Sequence, residues 1–133
     1  MRGGMARAAA AGQQRSRAGD ERRDATMPDA MKRLFLLRHA KSSWEDADLT
    51  DHDRPLAPRG RRAAKLMAGY REREAIAPSL VLCSSALRTR ETLERLGFSV
   101  DDEAEVVVER GLYAASATEL LERLRGVEPG SIR

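Results

Sequence analysis

The chain has 133 residues, of which 41% are hydrophobic and 34% charged, and this length fits one small domain. No apolar run approaches the roughly 18 residues of a membrane span, and the single cysteine, Cys83, cannot form an internal disulfide. We therefore expect neither a transmembrane protein nor a disulfide-rich secreted one, but a cytoplasmic protein. The 24 basic and 21 acidic residues give a net charge of +3, a mixed balance that argues against nucleic-acid binding.

Residues 1–30 contain no Val, Ile, Leu or aromatic side chain and have little apolar surface to bury. We expect them to form a disordered N-terminal extension, and residues 31–133 to form the folded domain. The arginines that precede Asp20 loosely resemble a transit peptide or an RNA-binding arm, although acidic residues follow them. We favour a start codon placed too far upstream, since Met27 and Met31 stand directly before the first apolar run.

From Lys32 onward, short apolar runs alternate with amphipathic stretches, a pattern typical of strands that alternate with crossover helices in a parallel sheet. The runs 34–37 and 80–83 are continuously apolar, as in strands that are covered on both faces. Residues 105–109 form a third candidate strand. The predicted order is βαβαβα, an α/β fold.

The first helix is predicted between the first two strands, from Pro58 to about Glu74, because proline suits the first helical position and Pro78 stops a continuation. Its apolar spacing predicts these inward-facing residues: Ala63, Met67, and Tyr70 or Leu66.

Local sequence signals also mark the ends of the two later helices. The second is predicted over 86–96 and ends at Gly97, which tolerates a left-handed cap. A capping-box pattern from Ser116 to Glu119 opens the third, which frays by Gly126. The turn at 129–130 looks like the onset of another strand, so we expect the sequence to end within its fold.

The residues that directly follow each apolar run are the candidates for chemistry, because ligands of open parallel sheets bind at the carboxyl ends of the strands. Arg38 and His39 follow the first run. Arg88 lies at the start of the second helix, where backbone amides and the helix dipole also favour an anion, and Arg54 is a third basic candidate. An imidazole beside guanidinium groups suits nucleophilic phosphoryl transfer.

Three sequence blocks in order resemble the histidine phosphatase superfamily, and its SixA-type phosphohistidine phosphatase branch in particular. They are residues 36–42 (LLRHAKS), 53–60 (DRPLAPRG) and 84–92 (SSALRTRET). The resemblance implies a phosphoglycerate mutase-like three-layer α/β sandwich with a mostly parallel sheet, whose final strand or strands and a helix would be missing here.

The same resemblance implies the role of each matching residue. His39 would be the nucleophile that is transiently phosphorylated, while Arg38 and Arg88 would bind the phosphoryl group. Arg54 and Ser42 would contact the substrate at the mouth of the pocket. Glu109 lies near the position of a proton-donating acid in mutase-like relatives, and a solvated strand-end carboxylate is the equal alternative. No metal and no cofactor are implied.

One departure from the family pattern concerns a second catalytic histidine, which relatives carry after a later strand. The chain has only two histidines, His39 and His52, and His52 is expected to be a solvent-facing loop residue. We therefore expect the 133-residue chain, made alone, to aggregate readily and to be less active than a full-length relative by a factor of about 100 or more.

The expected partner is a phosphorylated protein, such as a histidine-phosphotransfer domain, or a small phosphate ester; we expect neither nucleic acid nor a membrane. Two alternatives stay open. One is a small-molecule phosphomonoesterase or mutase of the same superfamily. The other is an inactive truncated or degenerate protein that binds phosphate without hydrolysing it.

Overall fold

The computed structural model describes residues 32–98 and 104–128 of the chain. The chain divides into two units, residues 1–35 and 36–133. In the first unit, residues 32–35 have no regular secondary structure. The predicted disordered extension and the turn at 129–130 lie outside the described residues. All elements below belong to the second unit.

The second unit contains three helices, two strands and two short 3-10 turns within its described residues, in an α/β arrangement. The strands are parallel neighbours, with Leu80 opposite Glu105 and Ser84 opposite Glu109. The predicted α/β class and parallel pairing are confirmed. In chain order the elements are a 3-10 turn at Asp51–Asp53, α1 (Pro58–Arg73), β1 (Leu80–Ser84), α2 (Leu87–Arg95), β2 (Glu105–Glu109), a 3-10 turn at Arg110–Leu112, and α3 (Ala117–Arg125).

The helix boundaries follow the local signals of the sequence. Pro58 is the first residue of α1. Gly97 has a φ of +78°, the left-handed conformation that ends α2 at low cost for glycine. Ser116 accepts a hydrogen bond from the backbone N–H of Glu119, whose carboxylate accepts one from the Ser116 backbone, so the predicted capping box opens α3.

The prediction of a strand at residues 34–37 is wrong. The segment is irregular, and Leu36 is 84% exposed. A strand needs a neighbour to receive its ladder hydrogen bonds, and among the described residues the ladder joins β1 to β2 only. An apolar run indicates a tendency to be buried, but it cannot supply that neighbour.

The predicted inward face of α1 is also wrong. The buried residues of this helix are Gly60 and Ala64, whereas Leu66 is 77% exposed. Small residues face inward because backbone packs directly on α1: a β-carbon on Gly60 would overlap the carbonyl oxygen of Lys41. The predicted residues that lie instead on the exposed surface are Ala63, Leu66, Met67 and Tyr70.

The segment that follows His39 is tied to the chain before α1. Ser42 and Leu56 form an antiparallel bridge, and the Ala57 N–H donates to the Lys41 carbonyl oxygen at 2.9 Å. Leu56 is 1% exposed, and its N–H donates to the carboxylate of Glu91 in α2 at 2.6 Å. No helix in the described ranges has both the length and the apolar character required to cross a membrane.

Candidate active site

A cavity of about 510 Å³ lies beside the segment that follows residue 37. It brings together five of the six residues singled out from the sequence, and Glu109 is the exception. Guanidinium, ammonium and imidazole groups dominate its lining, so the cavity favours an anion. The lining residues are Arg38, His39, Ala40, Lys41, Ser42, Trp44, Arg54 and Arg88.

The two ring nitrogens of His39 have different partners. Nδ1 lies 2.8 Å from the carbonyl oxygen of Ala40, which can only accept, so Nδ1 carries the proton. Nε2 lies 3.2 Å from Nε of Arg88, which can only donate, so Nε2 presents its lone pair. Both contacts favour the same neutral tautomer, the form in which imidazole is a nucleophile.

Arg88 lies in the first turn of α2, at the carboxyl end of β1, where the connection from strand to helix points its side chain at the cavity. All three guanidinium nitrogens have partners. Nε donates to His39, one terminal nitrogen donates to the backbone carbonyl of Asp51, and the other donates to Oδ2 of Asp51 at 3.0 Å. The direction of the guanidinium group is therefore fixed from two sides.

Asp51 is the main acceptor beside the site. Its Oδ1 accepts from Arg54 at 2.9 Å, and its Oδ2 accepts from the Tyr113 hydroxyl at 2.8 Å and from Arg88. The hydrogen bond from Tyr113, followed by those from the two arginines, lowers the pKa of Asp51 from 3.8 to about 2. Its carboxylate is therefore ionised at neutral pH.

Arg54 is 5% exposed and mainly holds protein groups. Its Nε donates to the Ser43 carbonyl and one terminal nitrogen to the Ser42 hydroxyl, both at 2.8 Å. Its guanidinium carbon lies 3.1 Å from the centroid of the Trp44 ring, a stacked cation–π contact. Arg54 and Ser42 therefore form part of the cavity wall, with few donors left for a substrate.

Arg38 contrasts with the buried Arg54 and the partly buried Arg88. It is exposed, lines the cavity, and within the described ranges forms no ion pair with a carboxylate. A guanidinium group of this kind has donors available for phosphoryl oxygens. Of the three predicted arginines, Arg38 is the one that most readily meets an incoming anion.

Glu109 lies at the end of β2 and is engaged away from the cavity lining. Nε of Arg123 lies 2.9 Å from Oε1 and 2.8 Å from Oε2 of Glu109. These hydrogen bonds lower the pKa of Glu109, which keeps the carboxyl group ionised. The contacts favour a structural ion pair over the proton-donating role that the resemblance implies.

His52 is more enclosed than a solvent-facing loop residue, and that prediction is wrong. Its side chain is 22% exposed, because the ring packs edge-on against Tyr113 at a centroid distance of 4.9 Å. Nε2 lies 2.8 Å from the Ser85 hydroxyl and Nδ1 lies 3.1 Å from Asp53. It is not among the residues that line the cavity.

Two residues beside the site, Asp51 and Thr92, have no role in the sequence interpretation. Thr92 is 4% exposed; its hydroxyl accepts from the Ala40 N–H at 3.1 Å and donates to the Arg88 carbonyl at 2.7 Å. It thus links the residue after His39 to α2. The sequence signal that could have identified Thr92 is its position one helical turn after Arg88, on the same face of α2.

Across residues 32–98 and 104–128, no three His, Cys, Asp or Glu side chains cluster as metal ligands do.

The fold agrees with the comparisons to known proteins. A model of the histidine phosphatase superfamily (branch 1) matches residues 34–125, more than half of the chain. The chain belongs to the histidine phosphatase superfamily. The solved structures that it matches include proteins named SixA.

The solved structures match at similar levels. A protein of Nakamurella multipartitia assigned as phosphohistidine phosphatase SixA is 36% identical, with a TM-score of 0.60 over 70% of this chain and 50% of that chain. Its Agrobacterium tumefaciens counterpart is 28% identical, with a TM-score of 0.62 over 68% and 58%. A protein histidine phosphatase SixA solved with tungstate is 23% identical and shares the fold, with a TM-score of 0.61 over 73% and 62%.

The chain spans about half the length of the bacterial relatives that it matches. An uncharacterized Mycobacterium tuberculosis protein is 43% identical over 96 residues, or 72% of this chain and 50% of that protein. An uncharacterized chloroplastic protein of Arabidopsis thaliana is 49% identical over 70 residues, or 53% of this chain and 32% of that protein.

Proposed function

We propose that this chain carries the nucleophile half of a phosphatase that removes a phosphoryl group from protein phosphohistidine through a covalent intermediate on His39. The observation that carries the proposal is the state of the His39 ring. Its Nδ1 donates to the Ala40 carbonyl, and its Nε2 lone pair faces Arg88 at the edge of a basic cavity. The substrate class is suggested by the similarity to proteins assigned as phosphohistidine phosphatases.

In the first step, Nε2 of His39 attacks phosphorus. A new N–P bond forms while the N–P bond of the substrate breaks, and its electron pair goes to the leaving imidazole nitrogen, which takes a proton from water. The phosphoryl oxygens accept the Arg88 Nε–H in place of His39 and receive a second guanidinium from Arg38. The Nδ1–H remains on the Ala40 carbonyl and stabilises the imidazolium that forms.

In the second step, water attacks phosphorus and the bond to His39 breaks, which returns the electron pair to Nε2. The water proton passes to solvent or to the released phosphate. The charge that builds up on the phosphoryl oxygens is met by guanidinium groups, the task that Mg²⁺ performs in many other phosphoryl-transfer enzymes. A proton-donating role for Glu109 is not required in either step, because water reaches the site.

A cytoplasmic location belongs to the same proposal. The lone thiol, Cys83, is buried and free, and burial raises its pKa. A thiol in that state is protonated and unreactive, as is common for core cysteines in reducing compartments.

The test is transfer of label from a radioactive phosphohistidine protein to the purified chain. We expect label on His39 that survives alkali and is lost in acid, the behaviour of a phosphorus–nitrogen bond. The His39→Ala variant is the matched control, and it should take no label while it retains its circular dichroism spectrum. Label that appears equally on both proteins, or on neither, contradicts the proposal.

A second candidate function is phosphate binding with little turnover. It is favoured by the position of His52, which is bound to Ser85 and Asp53 and does not line the cavity, so among the described residues the nucleophile has no opposing imidazole. A binding protein would keep its affinity for inorganic phosphate in the His39→Ala variant and show no labelled intermediate. Hydrolysis of small phosphomonoesters in preference to a phosphohistidine protein would instead favour a small-molecule phosphatase.

A further inference from the structure

The carboxylate of Asp51 lies between two guanidinium groups. Oδ1 binds Arg54 at 2.9 Å and Oδ2 binds Arg88 at 3.0 Å. The negative charge of Asp51 offsets the repulsion between the two cations that it binds. The ion pair between Asp51 and Arg88 therefore bears on the direction of the Arg88 side chain as well as on its charge balance.

The carboxylate is itself held in place. The Tyr113 hydroxyl donates to Oδ2 at 2.8 Å. Arg54, on the other oxygen, is anchored in the cavity wall by Ser42 and Ser43. Asp51 also contributes its backbone carbonyl to Arg88. Two of the three nitrogens of Arg88 are thus directed by one residue, and the third, Nε, is left to face His39.

We propose that Asp51 is the positioning residue that holds Arg88 with its Nε against Nε2 of His39, and so prepares Arg88 to bind the transferred phosphoryl group. The second part rests on the function proposed above. Asp51 acts through Arg88 and does not touch the reacting atoms. The adjacent carboxylate, Asp53, binds Thr50 and His52 instead, so it offers a matched comparison.

The test uses the full chain and the substitution Asp51→Asn, with Asp53→Asn as the control. An amide has one oxygen where the carboxylate has two, so its NH₂ group must face either Arg54 or Arg88, donor against donor. Two readouts are taken. The first is the ¹⁵N chemical shift of His39 Nε2, which reports its hydrogen bond, and the second is the affinity for inorganic phosphate.

We expect Asp51→Asn to move the Nε2 resonance and to weaken phosphate binding about 10-fold, the loss expected for one charge-assisted hydrogen bond. Asp53→Asn should leave both readouts close to the wild type. A folded Asp51→Asn protein with an unchanged Nε2 resonance overturns the proposal. So does an equal effect from Asp53→Asn, which would indicate a general response to lost charge.

If Asp51→Asn does not fold, Tyr113→Phe supplies the answer. It removes one hydrogen bond from Oδ2 and leaves the charge in place, so we expect a small shift of the Nε2 resonance toward that of an imidazole nitrogen that accepts no hydrogen bond. An unchanged resonance in folded Tyr113→Phe contradicts the proposal. The function is tested separately: a wild-type chain that shows the His39–Arg88 hydrogen bond but takes no phosphoryl label refutes the phosphatase and leaves the positioning role of Asp51 intact.

Discussion

Nε of Arg88 lies 3.2 Å from Nε2 of His39 and donates a hydrogen bond to it. The predicted nucleophile and a predicted phosphate ligand are therefore in contact, although 49 positions separate them in the chain. A phosphoryl group that enters the cavity takes over a donor already directed at the attacking nitrogen, so little reorganisation is needed.

Gly60 should not tolerate a side chain. A β-carbon there would overlap the Lys41 carbonyl, with the Lys41 nitrogen at 3.0 Å, so Gly60→Ala must push the segment after His39 away from α1. We expect a loss of about 1–3 kcal/mol in the free energy of unfolding, measured in urea. Gly69, in the same helix, would meet only a flexible arginine tip at 3.5 Å, so Gly69→Ala should stabilise the protein by about 0.5–1 kcal/mol. Equal effects at the two glycines would show that the close approach at Gly60 is not as described.

The hydroxyl group of Thr92 should be required for full stability and for phosphate affinity. Thr92→Val keeps the shape but leaves the partly buried Ala40 N–H without its acceptor, at a cost of about 1–3 kcal/mol in unfolding free energy. Phosphate affinity should fall as well, because Ala40 also fixes the His39 ring. Thr92→Ser retains the oxygen and should keep the phosphate affinity. A Val variant as stable as the wild type would contradict the assignment.

Acid should weaken the fold through Asp51. Its folded-state pKa is lowered from 3.8 to about 2, so its contribution to stability is fully present above pH 3.8 and is lost as the pH falls toward 2. Glu109 also has a lowered pKa, so its contribution to stability is likewise lost in acid. The difference in the free energy of unfolding between the wild type and Asp51→Asn isolates the contribution of Asp51. This difference should be constant at neutral pH and shrink below about pH 4. A difference that does not vary with pH would exclude Asp51 as its source.

Glu109 should matter for stability more than for chemistry. Because Glu109 and Arg123 share three hydrogen bonds, Glu109→Gln and Arg123→Met should each destabilise the fold, and the double variant should lose less than the sum of the two. Phosphoryl labelling of His39 should stay near the wild-type level in Glu109→Gln. Abolished labelling in a folded variant would restore the proton-donating role.

The features of the fold that could be predicted are those encoded locally. Pro58, Gly97 and the Ser116 capping box bound the helices because each acts within one turn of chain. The strand at 34–37 and the inward face of α1 could not be predicted, since both depend on which distant backbone lies alongside. For α1 that backbone is Lys41, whose close approach requires glycine at position 60.

The residues of the site also divide into those that the sequence could predict and those that it could not. Motif blocks identified residues that the fold brings into one cavity, including His39 and Arg88. Asp51 was missed because it is one of several aspartates in a polar stretch, and nothing in the spacing separates it from Asp53. Only the path of the chain back toward α2 gives Asp51 two arginine partners and leaves Asp53 with Thr50 and His52.

The antiparallel bridge between Ser42 and Leu56 holds together the two ends of the loop formed by residues 43–55. Its tip, around Glu45 to Leu49, is exposed, and doubling the length of a flexible loop costs only about 0.6 kcal/mol. Trp44 and Arg54, near the two ends of this loop, line the cavity. Insertions at the exposed tip therefore leave the cavity wall and the proposed nucleophile, His39, in place, and this loop is a site where new contacts to a substrate can be engineered.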